Sequence, residues 1–201
     1  MITIALPKGR IAEQTLEKFE KAFGEKFEFE DRKLILKKAG FTFLNVRNQD
    51  VPTYVMYGSA DLGVVGLDVL EEKEYDLVKL LDLEIGKCRV AIGLKAGDSI
   101  DWNRSSIKVA TKHTAIAKKF FESKAMAVEL VKLYGSIELA PLVGLSDCIV
   151  DIVETGETMK QNGLVVGDTI METSAHLIAN KNSFYSKKSA ILDLKEKLER
   201  T

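Results

Sequence analysis

The apolar positions change period several times along the chain, and each change marks an element. Residues 2–6 form a continuous apolar run closed by Pro7, as a buried strand requires. Beyond Gly9, Ala12, Leu16, Phe19 and Phe23 recur at spacings of four, three and four, which predicts an amphipathic helix ended by Gly24. Short strands are predicted around Glu28 and Leu34, then over 42–46 with Arg47 at the end. Pro52 suits the start of a short helix to Met56, closed by Gly58. Residues 62–65 are a compact apolar strand between Asp61 and Gly66, and Asp68 enters the next helix.

Residues 77–83 and 88–94 read as extended, and the polar stretch 97–106 as a loop. The alternation then restarts: a strand at 107–110, a helix at 113–121, a strand at 128–134, a short helix near Leu139, a strand at 148–153 and a helix at 155–161. Returning strands at 164–166 and 175–179 precede a helix over 187–200 with Ile191, Leu194 and Leu198 on one side. Two consecutive strand–helix runs predict an α/β fold with mainly parallel sheets, in two lobes hinged near Gly86. The expected division is 1–87 plus 181–201 for the first lobe and 88–180 for the second, the last helix crossing back onto the first.

Composition narrows the function classes. With 201 residues, 46% apolar and 29% charged, the chain fits an ordinary globular protein of one large or two small domains. The formal net charge of -1 offers no field for nucleic acid or an anionic membrane, so a phosphate-bearing ligand must be caught by local geometry. The N-terminal apolar run is too short for a signal sequence, and no run is long enough to span a membrane. Two cysteines, Cys88 and Cys148, and two histidines, His113 and His176, make a zinc or disulfide framework an unsuitable reading; a cytoplasmic location is expected.

The most informative stretch runs from Glu138 to Met159. An apolar strand delivers Asp151 near its carboxyl end, then turns through Thr155 and Gly156 into a helix whose first amides lack intrahelical partners. Those amides, with the Thr155 and Thr158 hydroxyls, could seat a phosphate, while Asp151 could accept hydrogen bonds from two vicinal hydroxyls. The plainer alternative is that Thr155 is an N-cap and Gly156 a turn residue, and Glu154 and Glu157 would repel an anion unless they face solvent. Lys8 and Arg10, at a strand-to-helix opening, suit a pyrophosphate or triphosphate or are solvated surface charges. Asp61 and Asp68 have turn-forming and capping roles as their default, His113 a local capping role with a second anion contact as its alternative, and His176 a packed or partner-facing one. Both cysteines read as small core residues.

The run from Glu138 to Met159 resembles the signature of the ATP phosphoribosyltransferases, the first enzymes of histidine biosynthesis. Glu138, Gly144, Ser146, Ile149, Asp151, Ile152, Thr155, Gly156, Thr158 and Met159 fill every position it constrains. Further landmarks are similar and in order: 6–10 (Leu-Pro-Lys-Gly-Arg), Val46-Arg47 with 50–52, 60–66, 86–89 and 175–179.

The resemblance implies two lobes like those of type II periplasmic binding proteins, with the active site in the cleft between them. It implies that Glu138, Asp151 and the loop Glu154, Thr155, Gly156, Glu157 and Thr158 hold phosphoribosyl pyrophosphate, and that Arg47, Gly66 and Asp68 contact the adenine nucleotide. Gln49 stands where relatives carry a lysine, and Arg32 matches an arginine that reaches a neighbouring subunit's site. The implied reaction joins ATP to the ribose by positioning and electrostatic stabilisation, with Lys8, Arg10 and Asp151 as catalytic groups and a substrate-bound Mg²⁺. A chain of this length resembles the short form, which implies a homodimer alone and a hetero-octamer with a regulatory subunit similar to histidyl-tRNA synthetase. The competing readings are a non-catalytic two-lobed binding module and a phosphoribosyltransferase for another base.

Overall fold

The computed structural model describes residues 1–201, which form two compact units, 1–86 with 174–201 and 87–173. The first is built on a six-stranded sheet with the order β2-β3-β1-β4-β11-β5. Its strands are β1 (Ile2–Pro7), β2 (Ile35–Lys38), β3 (Phe41–Val46), β4 (Leu62–Gly66), β5 (Val78–Asp82) and β11 (Ala175–Ala179). β1 pairs in parallel with β3 on one side and β4 on the other. The crossover helices α1 (Arg10–Phe23) and α2 (Val51–Met56) therefore cover opposite faces. α1 lays Leu16 and Phe19 on Ile4, Leu6 and Phe43, while α2 lays Val51 and Val55 on Ala5, Val65 and Ile178.

An aromatic cluster fixes α1 against the sheet. Phe19 meets Phe43 edge-on at 5.0 Å and Phe41 at 5.3 Å, within the range where aromatic pairs gain beyond simple burial. Phe27 joins the same cluster, so 25–30 is an anchored irregular segment and not the strand its alternation predicts. The edge of β3 is already taken by β2 through a two-residue turn, Ala39 and Gly40, both in the left-handed region, so no ladder remains for Glu28.

The second unit carries a five-stranded sheet with the order β10-β6-β9-β7-β8. Its strands are β6 (Cys88–Lys95), β7 (Ser106–Thr111), β8 (Ala127–Lys132), β9 (Cys148–Val153) and β10 (Leu164–Thr173). The central β7 again has parallel partners on both sides, β8 and β9. α4 (Thr114–Ser123) buries Ile116, Ala117 and Phe121 on one face; α5 (Leu139–Leu142) and α6 (Glu157–Gln161) place Ala140 and Met159 on the other.

Neither sheet is mainly parallel, as the strand–helix alternation had suggested. Helical crossovers produce the parallel pairs, but the β2–β3 hairpin and the returning strands β6, β10 and β11 pair antiparallel. β11 lies between β4 and β5, which puts 174–180 in the first unit, seven residues before the return to it expected from the sequence at 181. α3 (Leu67–Glu72) follows β4, and the chain closes with α7 (Lys181–Ser186) and α8 (Lys188–Glu199), whose Ile191, Leu194 and Leu198 complete the first core. α7 lacks an apolar stripe and was not foreseen. Asn180 starts it, accepting from the Ser183 amide at 3.0 Å and donating to Val55 O at 2.9 Å. No helix is long and apolar enough to cross a membrane.

Asp61 ties this C-terminal segment to the sheet, instead of forming or capping a turn. Its carboxylate accepts from the Thr3 amide at 2.9 Å, the Ser183 hydroxyl at 2.7 Å and Lys187 Nζ at 2.8 Å. Burial alone would raise its pKa, but Lys187, the Thr3 amide and Ser183 outweigh burial and hold it below the ordinary value. A depressed acid stabilises the fold fully above its unfolded pKa, about 3.9, and that contribution is lost as pH falls through the folded value. Asp61→Asn should lower unfolding free energy at pH 7 by about 2 kcal/mol and flatten the loss of stability below about pH 4. Urea denaturation at both pH values checks this; wild-type stability of the variant at pH 7 would overturn it.

Candidate active site

In an open α/β sheet, ligands bind beyond the carboxyl ends of the strands, where the chain turns from one side of the central strand to the other. Each unit has such a point. In the first, Lys8 directly follows β1 and its amide donates to Val46 O at 2.9 Å, while Arg10 opens α1. Arg47 follows β3, the parallel neighbour of β1 on one side, and Gly66 ends β4, the neighbour on the other. The sheet thus brings Lys8, Arg10, Arg47, Gly66 and Asp68 to one edge. Lys8, Arg10 and Arg47 are exposed, whereas Asp68 is 3% exposed. Its carboxylate folds back over Gly66, where a Cβ would lie 2.2 Å from Asp68 Oδ1. A side chain at position 66 would therefore displace that carboxylate.

In the second unit Asp151 lies two residues before the carboxyl end of β9 and one register step past the end of β7. Asp151 is half-buried and accepts from the Ile152 amide at 2.8 Å through Oδ1. The same Oδ1 lies 3.2 Å from Lys112 Nζ, with the Asp151 side chain 16% and that of Lys112 29% exposed. Lys112 was not among the sequence candidates. Its signal was the position directly after a central strand, the place that Lys8 has in the first unit. The Thr111 hydroxyl donates to Val150 O at 2.6 Å and accepts from the His113 amide at 2.8 Å, fixing the turn that carries Lys112.

Beyond Val153 the chain makes an exposed loop, Glu154 and Thr155, and enters α6 through Gly156 at φ +84°. Only glycine takes that conformation without steric cost, and a Cβ there would also come within 3.1 Å of Val166. Met159 anchors the short helix in the core beside Val153 and Leu164. The Glu157 amide is 3.4 Å from Thr155 Oγ1, a long contact that an anion could replace. Glu154, Glu157 and Thr158 are exposed, so both acidic side chains lie at the solvent surface. Glu138 is half-buried at the head of α5 and makes no side-chain cap bond.

The remaining candidates divide cleanly. Arg32 is exposed with φ +58°, a left-handed conformation uncommon for a residue with a side chain. His113 stands at the N-cap of α4 but is buried, and its side chain makes no cap bond, so it does not play the capping role expected of it. His176 is half-buried in β11, its Nδ1 3.3 Å from Ser174 O. Burial pushes the Cys148 thiol up to about 12, as befits a core residue and not a nucleophile. A hollow of about 470 Å³ lined by Leu94, Asp101, Arg104 and Ser146 lies at the opposite, amino-terminal edge of the second sheet. It contains none of the residues above, and the strand ends, not its size, locate the site.

Comparison with known proteins identifies the family. The model of the family HisG, ATP phosphoribosyltransferase, matches residues 47–200. The chain is 68% identical to the ATP phosphoribosyltransferase of Sulfurovum sp. (strain NBC37-1), over 99% of this chain and 97% of that one. It is 64% identical to that of Wolinella succinogenes, over 100% of this chain and 97% of the relative. Among solved structures it matches the ATP phosphoribosyl transferase (HisG:HisZ) complex from Thermotoga maritima with a TM-score of 0.84 and 36% identity, covering 100% of this chain and 98% of that one. The substrate binding protein of an amino acid ABC transporter gives a TM-score of 0.60 at 11% identity, covering 98% and 91%. That likeness shows the fold alone, the α/β architecture of type II periplasmic binding proteins. Together with the strand-end geometry, the family match and the full-length relatives establish that the chain belongs to the ATP phosphoribosyltransferase family.

Proposed function

We propose that this chain joins N1 of the adenine of ATP to C1 of the ribose of phosphoribosyl pyrophosphate, releasing pyrophosphate, as the first step of histidine biosynthesis. The observation that carries the reading is Asp151, two residues before the carboxyl end of β9 and three before the loop 154–158 that enters α6 through Gly156. An aspartate so placed accepts hydrogen bonds from the vicinal ribose hydroxyls, and the Thr155 and Thr158 hydroxyls with the adjacent amides receive the 5-phosphate. Glu138 and the Glu154 and Glu157 backbone complete the phosphoribosyl side. Arg47, Gly66 and Asp68 take the adenine nucleotide, and Arg32 reaches the site of a second copy.

The chemistry needs little beyond this. The N1 lone pair of adenine attacks C1, the bond from C1 to the pyrophosphate oxygen breaks, and its electron pair leaves with pyrophosphate. No proton has to be removed from the nucleophile, so positioning and neutralisation of the leaving charge supply the rate. Lys8 and Arg10 carry that neutralisation, and Asp151 orients the ribose while positive charge develops at C1. No group of three or more His, Cys, Asp or Glu side chains is arranged to hold a metal ion. A Mg²⁺ brought in with the pyrophosphate would neutralise part of the leaving group's charge beside Lys8 and Arg10. A reaction that draws on ATP and a biosynthetic precursor supports a cytoplasmic location.

The Thermotoga maritima structure is of a HisG:HisZ complex, and on that likeness this chain forms a homodimer alone and a hetero-octamer with a regulatory subunit similar to histidyl-tRNA synthetase. Mixing the purified chain with ATP, phosphoribosyl pyrophosphate and Mg²⁺ should give the phosphoribosyl-ATP absorbance change, and Asp151→Asn should lower kcat/KM about a hundredfold or more with the fold retained. Near-normal turnover in that variant, or turnover with another base in preference to ATP, would refute the reading. Histidine should leave the isolated chain active and inhibit it once the regulatory subunit is co-expressed. Inhibition of the chain alone, followed in the same assay, would overturn the partner assignment.

A further inference from the structure

The ion pair between Lys112 and Asp151 is not needed to build the sheet. β7 and β9 are already joined by their parallel ladder, and the Thr111 hydroxyl adds a bond of 2.6 Å to Val150 O. Withdrawing two charges partly from water costs free energy that one pair at 3.2 Å offsets poorly, so its presence asks for a role other than stability. Neither residue is placed by chance. Thr111 pairs with Val150, and the next step of the same register sets Lys112 beside Asp151 across the gap where the neighbours of β7 diverge.

The atoms involved indicate what the pair does. Asp151 Oδ1 accepts from the Ile152 amide at 2.8 Å and forms an ion pair with the Lys112 ammonium at 3.2 Å, so both partners gather on this oxygen and not on Oδ2. Rotating the carboxylate costs the amide hydrogen bond and weakens the ion pair, so the other oxygen has a preferred direction. The base of Lys112 is fixed too, because the Thr111 hydroxyl holds the following amide, that of His113, at 2.8 Å. The first unit repeats the placement: Lys8 directly follows its central strand β1, as Lys112 follows β7.

We propose that Lys112 is a positioning residue for the sugar substrate: its ammonium anchors Oδ1 of Asp151 so that Oδ2 is presented, already oriented, to two vicinal hydroxyls of a ribose. The proposal rests on the reading of Asp151 as the ribose acceptor. Lys112 acts through Asp151, so its loss weakens capture of the sugar and leaves both the chemical step and the adenine side largely intact. Arginine at the same position keeps the charge and the donor, and restores the anchor.

The test uses the full-length chain and three variants, Lys112→Ala, Lys112→Arg and Asp151→Asn, each first shown folded by circular dichroism. Lys112→Ala should raise KM for phosphoribosyl pyrophosphate about tenfold, lower kcat by less than about threefold, and leave KM for ATP unchanged. Lys112→Arg should recover most of that loss. Calorimetric titration with ribose 5-phosphate and, separately, with inorganic pyrophosphate distinguishes anchoring from direct contact with the leaving group. Weaker binding of ribose 5-phosphate alone supports the proposal. Equal weakening of pyrophosphate overturns it, since Lys112 would then be an anion ligand. An unchanged KM in Lys112→Ala also overturns it, provided Asp151→Asn is severely impaired. If Asp151→Asn is itself near normal, the assignment of the ribose site fails, and the positioning role with it.

Discussion

Parallel pairing of one central strand with a neighbour on each side is the constraint from which the rest of this molecule follows. In the first unit β1 lies between β3 and β4, and in the second β7 lies between β8 and β9. Parallel neighbours need crossovers, and crossovers of one hand to opposite sides of a strand place their helices on opposite faces. α1 and α2 cover the two faces of one sheet, and α4 and α5 those of the other. At the carboxyl end of each central strand the loops part. Lys8 and Lys112 occupy this position in their respective units.

With a formal net charge of -1, the chain has no long-range field to gather an anion, so recognition must come from short-range donors fixed in direction. The structure supplies direction by removing side chains or pinning them. Gly156 gives up its Cβ to let the backbone turn at φ +84° in front of α6, and Gly66 gives up its own so that Asp68 can fold over it. Asp151 is pinned through one oxygen by a lysine and an amide. Asp61, with similar chemistry, serves a different end: with Lys187, Ser183 and the Thr3 amide around it, its acceptors are consumed by the protein and it fastens the C-terminal helices. Two aspartates near strand ends thus differ in role according to how many of their acceptors the fold uses.

Much of this was legible in the residues. The stripe Ala12, Leu16, Phe19 and Phe23 specified α1, and the compact runs at 62–65 and 148–153 specified the strands that reach the site. The Thr-Gly turn after Asp151 was legible because left-handed backbone and strand-to-helix turns restrict residue choice locally. The segment 25–30 was misread because alternation reports which side chains are buried and not whether a sheet edge is vacant. α7 was missed because its stability comes from Asn180 bonding to Val55 O and Met56 O, far away in the chain.

By itself, the sequence determined most of the helices and strands, where the chain must turn, and which carboxylate stands beside the Thr-Gly loop, because each depends on a residue and its near neighbours. Tertiary structure decided the pairing order of the strands, the inclusion of 174–180 in the first unit, and the meeting of Lys112 with Asp151. Those outcomes depend on which strand edge is open and which register is taken, properties of two segments at once that no single stretch of residues encodes.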